Sequence, residues 1–172
     1  MPAIKLHNVP YQATPKPQRL YEYSIAYIKS ARALCVEMID DESASWPRAA
    51  VVLMLAAHAT EVYLKALIAH RTGAFDNGHD IEILRNAYRA AYGNDLEFFL
   101  PMTEVGWRMT EEERAFFRKK KVLEDPSIVN RYPFLDMDNE WRGLHVVEPV
   151  GLVGILDDAA ANMIEKWESL NQ

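Results

Sequence analysis

His58, Glu61 and Lys65 fall at i, i+3 and i+7 within the segment from Pro47 to Arg71, so a helix there carries all three on one stripe. An imidazole, a carboxylate and an ammonium in that order could hold a small ligand or move a proton, because each group tunes the pKa of its neighbours. The simpler expectation is an i to i+4 pair between Glu61 and Lys65 on the one solvated or dimer-facing edge of the helix, stabilising by only a few tenths of a kcal/mol. Gly78, His79 and Asp80 follow shortly after. Asp80 is suited to cap the next helix through its amide protons, Gly78 to take the positive φ of a turn, and His79 to pin the loop to the preceding helix or to touch a ligand.

A third group lies late in the chain: Arg131, Tyr132, Trp141, Arg142 and His145. Guanidinium, aromatic and imidazole groups together can grip a phosphate while stacking a base. They are also the residue types that protein interfaces favour, and in an acidic chain interface or loop packing is the expected role. Asp136, Asp138 and Glu140 alternate like the start of a calcium loop, but Trp141 stands where the tight turn needs Gly and Val147 where the closing Glu belongs. A phosphate-binding Gly-rich loop, HExxH, GxSxG and a Cys pair are all missing from the sequence. No metal or cofactor is implied, and whether the chain is an enzyme stays open.

Composition bounds what these groups can serve. The 172 residues fit one domain large enough for a hydrophobic core without metal or disulfide help. Hydrophobic residues at 49% and charged residues at 26% describe a globular chain rather than a disordered one. A net charge of −6 opposes broad nucleic-acid binding, which needs clustered Lys and Arg, so RNA is a weakly supported partner. The single Cys35 excludes an internal disulfide and fits a reducing cytoplasm; with Ala31, Met38 and Ile39 it sits on an apolar helical face and is expected to be buried and inert. No signal peptide is evident at the start, and the apolar run Ala49–Ala57 is too short and too soon followed by Glu61 and Lys65 to span a bilayer.

The elements that must position the candidate groups are helical. Residues 1–16 carry Pro2, Pro10 and Pro15 without a period and read as an extended arm, ahead of a single domain over 17–172. Pro17 to Asp40 is an amphipathic helix marked by Leu20, Tyr27, Ala31, Leu34 and Met38, with a turn near residues 40–45. Ser45 caps a long second helix that ends at Gly73, apolar on most sides and therefore the axis of a bundle. Asp80 to Tyr92 forms the next helix, closed by Gly93, and Thr110 with Glu113 makes a capping box ahead of another over Glu111–Leu123. Its basic end, Arg118 to Lys121, complements the helix C-terminus. A long ordered loop without a convincing strand pair, Asp125 to Val147, precedes a final amphipathic helix from Pro149. The fold class expected is all-α, an up-and-down bundle of four to five helices.

The pair of long helices, the second carrying AAHATEVYLKALI, followed by GHDIEILRNAY and later by Arg131, Tyr132 and Pro133, resembles the HEPN superfamily over roughly residues 20–170. The resemblance implies a helical bundle, commonly dimeric. It implies one of two roles: a metal-independent ribonuclease of toxin–antitoxin or phage-defence systems, or a noncatalytic partner of proteins such as a nucleotidyltransferase or an antitoxin. Catalytic members share an Arg and a His at a set short spacing. Here seven residues separate Arg71 from His79 and two separate Arg142 from His145; the shared spacer is intermediate, so neither pair fits and no catalytic residue is carried over. The resemblance therefore favours a homodimeric binding or accessory module.

Overall fold

The computed structural model describes residues 9–93, 134–136, 139–140 and 147–171. Helix α1 is a single turn, Val9–Gln12, followed by α2 (Lys16–Val36), α3 (Trp46–Thr72), α4 (Ile81–Tyr92) and α5 (Pro149–Ser169). Strands β1 (Phe134–Asp136) and β2 (Asn139–Glu140) pair antiparallel, Phe134 facing Glu140 and Asp136 facing Asn139 across an irregular register. The protein is all-α, a helical bundle. The expected helix over 111–123 and most of the 125–147 loop lie outside the described residues.

Two sequence expectations change. The first sixteen residues are not wholly an extended arm: α1 forms a helical turn, its Tyr11 hydroxyl donates to the Arg19 carbonyl at 3.0 Å and its ring meets Tyr23 edge-on. The β1–β2 pairing was also unforeseen, since five residues are too few to show an alternating pattern.

Helix α2 buries Ser24, Ile28, Ala31 and Cys35 at alternating steps of four and three, the spacing of one helical face. A short turn reverses the chain. There the Asp41 carboxylate accepts from the Ser43 amide and pairs with Arg48 in the first turn of α3, so part of the acidic run steadies the start of that helix. Ser45 occupies the N-cap position with an extended backbone, although its hydroxyl makes no capping bond, and Gly73 ends α3 in the left-handed region at φ 80°.

Helix α3 is the axis. By length and composition alone it could cross a membrane, but 78% of that apolar window is buried within the protein. From Ala59 to Ala69 every residue is buried. Antiparallel α2 lies along one side, seen in the Tyr27–His58 and Tyr21–Tyr63 ring contacts. Helix α5 lies antiparallel to α2: Arg32 pairs with Asp157, and Trp167 stacks on Tyr21 at 4.6 Å while donating to Gln18 Oε1 at 3.1 Å. Tyr63 ties α3 to α5 by donating to the Met163 carbonyl at 2.9 Å. Each fully buried aliphatic residue such as Leu64, Leu67 or Leu156 contributes roughly 1.5–3 kcal/mol.

Candidate functional site

The polar centre of the core is the Glu61 carboxylate, with its side chain 1% exposed. Helix α3 supplies two of its partners. One turn on, Lys65 Nζ donates to Oε1 at 2.6 Å; just under a turn earlier, His58 Nδ1 lies 3.3 Å from Oε2. The third comes from the loop after α3, where His79 Nδ1 is 2.9 Å from Oε1. The loop is placed for this by its two ends. Gly73 turns the chain out of α3, and Asp80 starts α4 by accepting from the amides of Glu82 and Ile83 at 2.9 and 3.1 Å.

An ionised carboxylate only accepts hydrogen bonds, so each imidazole presents Nδ1–H to Glu61 and, when neutral, keeps its lone pair on Nε2. Burial by itself pushes the Glu61 pKa up. The donors His58, Lys65 and His79, with the Lys65 charge, outweigh it and hold the group at about 2, against an ordinary 4.5. At neutral pH the residue is a fixed anion balanced by a fixed cation. The interior has its own built-in counterion in Lys65, 8% exposed. Among the described residues no three His, Cys, Asp or Glu side chains are arranged to hold a metal.

The structure thus brings four sequence-predicted residues together: His58, Glu61, Lys65 and His79, with Asp80 beside them as the α4 cap. It corrects their setting. Glu61 and Lys65 do not form a pair on a solvated or dimer-facing edge; both are buried within the single chain, which encloses every residue of α3 from Ala59 to Ala69. His79 is the outermost member, 55% exposed. Arg131, Tyr132, Trp141, Arg142 and His145 lie outside the described residues.

Two further side chains complete the cluster and were not anticipated. Tyr27 meets the His58 ring edge-on at 4.8 Å, and the Phe75 ring lies 5.9 Å from Lys65 Nζ. A signal for the first was present: in an antiparallel pair joined by a turn near residues 42–43, positions 27 and 58 are equidistant from the turn. Nothing in the sequence distinguishes Phe75 from any other loop aromatic. No family model, curated protein or solved structure matches this chain.

Proposed function

We propose that this chain is a HEPN-like helical binding or accessory module, working as a homodimer in a reducing cytoplasm and engaging a protein partner of the nucleotidyltransferase or antitoxin kind. The observation that carries the reading is the closure of the Glu61 network. Both carboxylate oxygens are engaged by donors from the same chain, and a carboxylate held at about 2 neither takes nor gives a proton near neutrality. The cluster fastens a loop to a helix and leaves recognition to the surfaces of the bundle. The resemblance in AAHATEVYLKALI and GHDIEILRNAY supplies the family part of the proposal.

Incubating purified protein with mixed RNA, alongside Arg142→Ala and His145→Ala variants, tests the noncatalytic assignment. The expected result is intact RNA in every tube. Cleavage by the wild type that both substitutions abolish, with thermal stability unchanged, would replace the binding-module reading with that of a divergent metal-independent ribonuclease.

A further inference from the structure

The connection from α3 to α4 is fixed at its two ends and held lightly between them. The Gly73 amide donates to the Ala69 carbonyl at 2.9 Å and closes α3, while Asp80 caps α4 through bonds made inside that helix. In between, the bonds are local: the Thr72 hydroxyl donates to the Ala74 carbonyl at 2.7 Å, and the Gly78 amide to Asp76 at 2.5 Å. Among the described residues no backbone hydrogen bond joins 74–79 to a helix, and Ala74, Asp76, Asn77 and Gly78 are exposed. Lifting this stretch therefore breaks no helical hydrogen bond.

Among the described residues two side chains hold it down, and both land on the buried ion pair. His79 reaches Glu61 Oε1 at 2.9 Å, and half-buried Phe75 packs on the core with its ring 5.9 Å from Lys65 Nζ. When the stretch leaves, Glu61 keeps Lys65 and His58, which are both on its own helix. Opening thus wets the pair without stranding the carboxylate. A segment with few buried contacts and no ladder bonds opens at a lower free energy than the core it covers.

We infer that residues 73–79 are a strap that opens and closes over Glu61 and Lys65 while the helices stay packed, with His79 and Phe75 as its two latches. Closed, it keeps the ion pair inside; open, it presents a carboxylate beside an ammonium and an imidazole, so the strap governs access to that pair. Lys65, 8% exposed, is the natural reporter. Trace acetylation of the native full chain with acetic anhydride, read by peptide mass spectrometry, compares Lys65 with exposed Lys29, and a thiol reagent in parallel samples reads fully buried Cys35. In the wild type Lys65 labels far more slowly than Lys29. His79→Ala removes a hydrogen bond to a charged acceptor and raises Lys65 labelling about ten- to hundredfold. Phe75→Ala raises it as well, Asn77→Ala on the exposed strap leaves it unchanged, and Cys35 stays protected throughout. A Lys65 rate that neither latch substitution changes overturns the strap. So does a rise matched at Cys35, because the pair would then be wetted only when the bundle itself comes apart.

Discussion

Removing the charge from Glu61 while keeping its shape tests the central cluster most directly. In the native protein the carboxyl is held at about 2 rather than 4.5. At ~1.4 kcal/mol per pH unit, that difference contributes about 3 kcal/mol of stability. The sign follows from the direction: a depressed native pKa means that the folded state prefers the anion, so the contribution is complete above pH 4.5 and disappears as the pH falls toward 2. It is about 3 kcal/mol at pH 7, about 1 kcal/mol at pH 3 and close to nothing at pH 2. Glu61→Gln has no titrating group there and leaves Lys65 in the interior without its anion, a loss of similar size, about 3–5 kcal/mol.

The measurement is paired urea denaturation of wild type and Glu61→Gln at pH 7, 4, 3 and 2.5, followed by circular dichroism. For a chain of 172 residues, about 3 kcal/mol also appears as a fall of roughly 6–12 °C in melting temperature. The gap between the proteins should be widest at pH 7 and should narrow steadily below pH 4.5. A gap of the same size at pH 7 and pH 3 would mean that the Glu61 carboxyl titrates alike in folded and unfolded chains, and the electrostatic account of the cluster would fail.

Four further outcomes follow from the packing. Leu64→Ala, at a fully buried position on the axial helix, should cost ~2–5 kcal/mol and lower the urea midpoint with little change in slope. Asp80→Ala removes two capping bonds from α4 and should cost about 0.5–2 kcal/mol, with faster amide exchange confined to the start of that helix. Cys35, fully buried and with its thiol pKa pushed up by burial and by Glu148, should resist a thiol reagent in the native protein and react at once in urea. Glu61→Leu combined with Lys65→Met should be more stable than either single change, because it leaves no uncompensated buried charge; an additive loss in the double-mutant cycle would contradict the coupling seen at 2.6 Å.

The sequence is most legible where one local signal repeats or where a residue has a single conformational use. Helix α5 is visible because Leu152, Leu156, Ala159, Met163 and Trp167 recur on one face, and α4 because Asp80 opens it and Gly93 closes it. The extent of α3 is equally plain from its apolar length and from Gly73. What the sequence does not display is depth. An i to i+4 glutamate–lysine pair looks the same on a wet face as in a core, and only the residues around it differ. Val62, Leu64, Ala66 and Leu67 fill the other faces at that level while His58, Glu61 and Lys65 share one stripe, so the sequence offers a polar edge and only the structure shows that it is enclosed. The approach of His79 depends on how an eight-residue connection from Gly73 to Asp80 folds back, which no periodicity encodes.

The enclosure of that edge explains what the cluster does for the fold. A helix apolar on most sides can turn about its own axis and still bury hydrocarbon, so hydrophobic burial alone selects the rotation of α3 weakly. A single buried anion removes that freedom, because its three donors reach it only from fixed positions one turn on, just under one turn back and across the loop. Rotating α3 by even one residue would separate Glu61 from His79 while keeping Lys65, leaving a buried carboxylate short of a donor and the loop without its anchor. His58 extends the constraint to α2 through Tyr27. Its polar cost in the core is thus tied to a single orientation of the axial helix, and that orientation decides which apolar residues, Val51 among them, face outward.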